Sequence, residues 1–114
     1  MTSPHVVKEP TPWSIDRAGI RGKLFPAQGL ITRTEHLLIE TENGHTTTIV
    51  ERESDFIYYI LEGAGQFVID GVSESCSQGD LVVVPRGLPF TYRGRLRMFL
   101  TCSPPWDPAQ ETTL

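Results

Sequence analysis

A histidine and two tyrosines are the residues whose types and positions could carry out chemistry in this sequence. His45 follows Gly44 in "NGHTTTIVERESDFIYYILEG", which also contains Tyr58, and Tyr92 follows in "VPRGLPFTYRG". Imidazole titrates near neutral pH, so a histidine in a cavity can act as a general base without a metal ion. His36 lies within the apolar run "TEHLLIE", where we expect a structural role. His45 is therefore the leading catalytic candidate.

Length, charge and hydropathy limit the classes of partner. The chain has 114 residues, 39% of them hydrophobic, and a formal net charge of −4, which suits one domain with one core. Mild acidity with scattered Lys and Arg argues against binding to nucleic acid or an anionic membrane. No apolar run approaches the ~20 residues that span a bilayer, and the first ten residues lack the apolar core of a secretory signal. We expect a cytoplasmic protein.

Short apolar and β-branched runs separated by turn residues predict an all-β protein, and no segment shows a helical period. The Asp70–Gly71 pair is typical of a tight hairpin, and we expect strand breaks at 63–65 and at 92–96. The predicted strands are 20–25, 30–40, 45–53, 56–62, 65–70, 72–77, 80–84, 89–93 and 96–102. Many short strands at this spacing indicate an antiparallel barrel or sandwich.

The ends of the chain differ from its centre in composition. Most of the prolines lie in residues 1–14 and 103–114, so we expect both segments to be irregular, with their tryptophans covering the barrel surface or an opening. Cys76 and Cys102 are the only cysteines and form no C-x-x-C pair. We expect two reduced thiols in or near the core, and a disulfide remains open.

The spacing of glycine and proline resembles the two motifs of the cupin family. Five scaffold residues of those motifs are present, namely Gly44, Gly63, Gly79, Pro85 and Gly87. The positions where cupins carry metal ligands hold Val50, Arg52, Phe56 and Phe90. The resemblance covers residues 30–102 and implies a single-domain cupin β-barrel of the antiparallel jelly-roll type. Valine and phenylalanine cannot coordinate a metal and arginine stays charged, so we expect neither metal nor cofactor.

Strand alternation extends this alignment to the neighbouring side chains. The residues that it places in the cavity are Thr48, Val50, Arg52, Phe56, Tyr58, Ile60, Phe90 and Tyr92. An inward guanidinium must pair with a carboxylate, such as Glu42 or Glu74, or with a ligand. The same alternation points His45 away from the cavity, unless a bend at Gly44 turns it inward.

A closer resemblance is to the small metal-free cupin dehydratases of pacidamycin-type nucleoside antibiotic biosynthesis. It rests on the Gly-His pair, the Tyr-Tyr pair before the closing glycine, the Tyr-x-Gly turn and the Pro/Trp acidic tail. It implies dehydration of a uridine 5′-aldehyde to a 3′-deoxy nucleoside, with His45 as base and Tyr58 and Tyr92 in the site. Arg17 of "DRAGI" replaces the family's lysine, and arginine is a poorer proton donor but a better carbonyl or anion clamp.

Four functions remain open at this point. A lyase would use general-base abstraction of an α-proton and β-elimination of water from a carbonyl-activated sugar or nucleoside. An epimerase or isomerase would use similar groups, a non-catalytic binder would only orient a ligand, and a structural barrel would have a packed lumen. The expected partner is a small nucleoside or sugar derivative, with no nucleic acid or membrane, and the protein is expected to be a monomer or a homodimer.

Overall fold

The structure is a computed structural model that describes residues 5–114, and the all-β prediction is confirmed. Within that range the strands are β1 (Ile15–Arg17), β2 (Ile20–Leu24), β3 (Glu35–Thr41), β4 (Ile49–Glu51), β5 (Asp55–Ile69), β6 (Val72–Ser77), β7 (Leu81–Val84), β8 (Phe90–Ser103) and β9 (Glu111–Thr113). They form one curled antiparallel sheet with the order β1-β2-β3-β8-β4-β9, and β5 pairs with β6, β7 and β8. The curl encloses the core.

The two longest strands, β5 and β8, pair along almost their whole length. The strand breaks predicted at 63–65 and 92–96 are wrong, because both strands continue and Gly65 pairs with Gly94. A Cβ on Gly65 would collide with the backbone carbonyl of Arg93. These glycines therefore let the two backbones approach closely, and they do not end the strands.

A bulge in β5 sets which of its side chains face the core. The register against β8 shifts between Ile60 and Glu62, so the alternation of faces changes phase there. Tyr58 and Ile60 before the shift and Phe67 after it are all buried. The bulge thus brings Tyr58 and Phe67 together, with ring centroids 5.1 Å apart.

The core lies between the inward faces of the curled sheet. Its buried members are Leu37, Ile39, Ile49, Phe56, Tyr58, Ile60, Phe67, Cys76, Val84, Phe90, Tyr92, Leu96, Met98, Leu100 and Cys102. Both cysteines are free thiols.

Only the C-terminal end of the described chain is more ordered than its composition suggests. Residues 5–14 contain no strand, and Trp13 lies over the cationic groups of Arg21 and Lys23. The tail 103–114, however, contains β9, which pairs with β4. Residues 1–4 of the predicted irregular arm lie outside the described residues. The strand predicted from residue 30 begins only at Glu35.

Adding one methyl group at Gly65 tests the close approach of β5 and β8. We expect Gly65→Ala to lower the free energy of unfolding by about 1–3 kcal/mol, as overpacking does. Gly29→Ala is the matched control, because open space surrounds Gly29, and it should change stability by no more than about 0.5 kcal/mol. Chemical denaturation measures both. Equal stability of the two variants would contradict the proposed contact.

Candidate functional site

A small cavity remains in the core, with a volume of about 50 Å³. It is lined by Ile15, Arg17, Ile20, Leu37, Ile39, His45, Ile49, Phe56, Tyr58, Tyr92, Leu100, Cys102, Trp106 and Glu111. Phe67, Ile60 and Met98 fill the core elsewhere and do not line it. The barrel is therefore packed in part and hollow in part, and the hollow part has aliphatic and aromatic walls with a few polar groups.

The register of β4 differs from the predicted one. Ile49 and Glu51 are buried, whereas Val50 is half-buried and Arg52 is exposed. The inward positions are thus the odd-numbered ones. The physical reason is that apolar Ile49 packs in the core beside its ladder partner Phe90, and a guanidinium stays in water at lower cost.

Two predicted site residues consequently lie outside the cavity. Arg52 donates hydrogen bonds to the Ala109 carbonyl at 2.7 Å and to Thr112 Oγ1 at 2.9 Å, so its predicted inward orientation and its pairing with Glu42 or Glu74 are wrong. Thr48 does not line the cavity either. Its carbonyl accepts a hydrogen bond from the amide of Leu114 at 2.8 Å. Both residues instead hold the C-terminal tail.

His45 lines the cavity because the chain bends at Gly44. Gly44 has a φ of +106°, and a Cβ there would collide with the carbonyl of Tyr92. The next amide, that of His45, donates to the same carbonyl at 2.9 Å. The imidazole packs edge-on against the Tyr92 ring, with centroids 5.7 Å apart. The glycine therefore brings His45 against β8 and turns it inward.

The imidazole is held in a defined tautomer by Thr47. His45 Nδ1 lies 2.8 Å from the Thr47 carbonyl oxygen, which can only accept a hydrogen bond, and 3.3 Å from the Thr47 amide. The shorter contact assigns the proton to Nδ1 and leaves the Nε2 lone pair free. Burial lowers the pKa of His45 below its usual 6.5, and the Thr47 hydrogen bond and the Glu111 charge oppose this only in part. The imidazole is thus neutral and basic at neutral pH.

The predicted tyrosines lie beside this base. Tyr58 and Tyr92 are buried, with ring centroids 5.7 Å apart, and both line the cavity. Neither phenol hydroxyl makes a hydrogen bond to another residue of 5–114. Burial raises the pKa of both phenols well above 10, so they stay protonated as donors. Phe56 lines the cavity, whereas Phe90 packs behind it, 5.8 Å away between centroids.

Residues from the two ends of the chain meet at the mouth of the cavity. Arg17 of β1 contacts both carboxylate oxygens of Glu111 in β9 at 2.8 and 3.0 Å. Trp106 Nε1 donates to Glu111 at 2.8 Å, and the guanidinium lies 5.0 Å from the centroid of the Trp106 ring. The Glu111 side chain is 8% exposed and the Arg17 side chain 48%. Arg17 was expected in the site, but Glu111 was missed. The β-branched run Thr112–Thr113 beside it is the signal that could have revealed a strand.

The described residues do not offer a metal site. Within residues 5–114, no three His, Cys, Asp or Glu side chains are grouped so that they could hold a metal ion. The four cupin ligand positions carry Val50, Arg52, Phe56 and Phe90, which supply no metal-binding donor. In the same part of the chain, no helix has the length and apolar character needed to cross a membrane.

Comparison with solved structures identifies the architecture. No protein-family model and no curated protein sequence matches this chain. Pac13, a nucleoside dehydratase, superimposes with a TM-score of 0.82 at 22% identity, over 88% of this chain and 82% of its own. The chain has the cupin fold. KdgF from Halomonas sp. matches this chain with a TM-score of 0.71 at 20% identity, over 86% of this chain and 90% of its own. EutQ of Clostridium difficile matches with a TM-score of 0.64 at 22% identity, over 75% of this chain and 63% of its own. Three structures of Streptomyces PAC13 with uridine carry a His→Gln or one of two Tyr→Phe substitutions.

The His45 environment can be tested by NMR titration. We expect the pKa of His45 to lie below 6.5 because the ring is buried. Glu111→Gln should lower this pKa further, since it removes a carboxylate that favours the protonated ring and leaves the Arg17 charge unopposed. A higher pKa of His45 in Glu111→Gln than in the wild type would show that the two groups do not interact as described.

The ligand positions also predict the metal content. Protein purified without an affinity tag should contain far less than one transition metal ion per chain by elemental analysis. A chelator should leave any activity unchanged. About one metal ion per chain, lost together with activity, would overturn this expectation.

Proposed function

We propose that this cupin is a metal-independent dehydratase that acts on an uncharged, carbonyl-activated nucleoside or sugar. One observation carries the proposal: a half-buried imidazole and two buried phenols line the same small cavity. Such a set contains a base and two hydrogen-bond donors without any metal ion. His45 and the pair Tyr58 and Tyr92 supply these groups.

The spacing of these residues gives independent support. In the PAC13 variants bound to uridine, the substituted histidine and the two tyrosines are separated by thirteen and thirty-four residues. The same intervals separate His45 from Tyr58 and Tyr58 from Tyr92. The three matching positions are ones whose side chains line the cavity of this chain. Because the PAC13 variants hold uridine, the match supports a nucleoside as the ligand.

The proposed reaction balances without a co-reactant. His45 Nε2 takes the proton from the carbon next to the substrate carbonyl, and the electron pair moves onto the carbonyl oxygen as an enolate. The enolate then re-forms the carbonyl as the C–O bond to the β-hydroxyl breaks. The hydroxyl leaves as water with the proton returned from the imidazolium. Tyr58 and Tyr92 donate hydrogen bonds to the enolate oxygen or to the leaving hydroxyl.

The charges around the cavity favour an uncharged substrate. Among the described residues that line it, Arg17 is the only Lys or Arg, and Glu111 already binds its guanidinium. A phosphate or diphosphate group needs unpaired cations or a set of amide donors. This argues for a nucleoside or neutral sugar and against the nucleotide sugars that an epimerase of activated sugars would use.

The size of the cavity sets a condition on binding. A volume of about 50 Å³ holds only a few water molecules. A nucleoside is several times larger, so it must extend through the mouth and displace the Arg17 guanidinium from the Trp106 ring. The reacting carbons would occupy the inner part beside His45.

An assay with uridine 5′-aldehyde in deuterated water tests the proposal. We expect loss of water from the aldehyde, with turnover reduced about 10²–10⁴-fold in His45→Gln and melting temperature nearly unchanged. His36→Gln is the matched control, because His36 stacks on Phe99 away from the cavity, and it should keep wild-type turnover. The activity of the wild type should rise with pH, because only the neutral imidazole accepts the proton. The midpoint of the rise should lie below pH 6.5, because burial lowers the pKa of His45.

Other outcomes distinguish the remaining functions. Deuterium incorporated next to the carbonyl without loss of water would favour an epimerase. Saturable uridine binding with neither exchange nor dehydration would favour a non-catalytic binder. Wild-type turnover in His45→Gln would exclude His45 as the base.

A further inference from the structure

Strand β7 differs from the other edge strands of the sheet. It pairs only with β5, and all four of its residues, Leu81–Val84, are apolar. Leu81 is 61% exposed and Val83 is 50% exposed. The other edge strands within the described residues, β1, β6 and β9, each contain at least one charged residue. Charged edges resist pairing with another chain, whereas an apolar unpaired edge is a template for it.

The backbone of β7 presents unpaired groups on its open side. The Asp80 carbonyl accepts a hydrogen bond from the Ile60 amide at 3.0 Å, so the polar groups of Asp80, Val82 and Val84 face β5. Those of Leu81 and Val83 therefore point away from β5. No second strand of the described chain pairs with β7.

The outer face of the sheet continues this apolar surface. Tyr59, which is 44% exposed, lies opposite Leu81 in the ladder, and Ile57 lies opposite Val83. Residues opposite each other in a ladder share a face. The four side chains thus form one exposed apolar patch next to an open strand edge.

We propose that β7 is a dimer interface at which a second copy of this chain pairs antiparallel about a two-fold axis through Val82. Leu81 then lies opposite the partner's Val83, and the two outward-facing residues of each strand exchange four backbone hydrogen bonds. The two apolar patches become continuous across the axis.

Charge at the ends of β7 selects this second copy as the occupant. Exposed Asp80 precedes the strand and exposed Arg86 follows it closely. Antiparallel self-pairing places Asp80 diagonal to the partner's Arg86, within reach of a long side chain. The edge is therefore complementary to itself in charge, backbone groups and apolar side chains. This inference does not depend on the proposed reaction.

Sedimentation or light scattering of the full chain tests it. A small contact area gives weak association, so the average mass should depend on concentration. It should rise from that of one chain to that of two. Val83→Lys should give one chain at the same concentration, since two lysines would lie near the axis. Val72→Lys is the matched control on β6, where the replaced valine is also exposed, at 61% against 50% for Val83, and it should keep the dimer. Circular dichroism checks that both variants fold.

A cross-link tests the register without relying on a disruptive variant. Val82 would face its own copy across the axis at a Cα separation suited to a disulfide, so Val82→Cys should yield a covalent dimer on mild oxidation. Val72→Cys should not. A wild-type chain that stays single at about 1 mM, where weak dimers are populated, would overturn the proposal. A dimer unaffected by Val83→Lys, or one lost equally in Val72→Lys, would also overturn it.

Discussion

The ladder between β5 and β8 is the interaction on which the rest of this structure depends. It supplies most of the inward side chains, from Phe56 to Phe67 on one strand and from Phe90 to Cys102 on the other. Two local features allow the two strands to pair closely and to direct these side chains inward. Glycines remove the side chains that would separate the backbones where β5 and β8 approach closely, and the shift after Ile60 changes the phase of the alternation. Without that shift, Phe67 would face solvent.

The chemistry of the cavity follows from the same packing. Burial in an apolar environment disfavours charge, and it acts on two kinds of group in opposite senses. It lowers the pKa of His45 and so keeps the imidazole unprotonated, and it raises the pKa of Tyr58 and Tyr92 and so keeps the phenols protonated. A base and two donors are therefore available in one place at neutral pH. The ends of the chain close this space, since Arg17 and Glu111 meet at its mouth from strands far apart in sequence.

The sequence was sufficient for the fold class, but not for the full length of the central ladder, because β5 and β8 continue through the breaks predicted at 63–65 and 92–96. Turn spacing and alternation predicted an all-β protein, and the resemblance to the two motifs predicted the cupin architecture. Counting from the motif positions placed Phe56, Tyr58 and Tyr92 inward, because no register shift separates Tyr58 from Phe56 or Tyr92 from Phe90. The alternation extrapolated from the motif positions gave the wrong inward face for β4, which has only three residues and follows an irregular stretch after Gly44. Its phase is set by burial of Ile49, so Thr48 and Arg52 were assigned to the wrong face. Glu111 was missed since proline-rich composition hid a short terminal strand that only pairing with β4 stabilises.

Long-range ¹⁵N–¹H NMR of the His45 imidazole, with uridine as an unreactive ligand, tests the central claim most directly. We expect a protonated Nδ1 and an unprotonated Nε2 at neutral pH, and we expect uridine to shift the Nε2 resonance in a saturable way. The His36 resonances should stay in place, because that ring lies away from the cavity. A protonated Nε2, or a His45 ring whose resonances do not respond to uridine at high concentration, would show that His45 is not the base of this cavity.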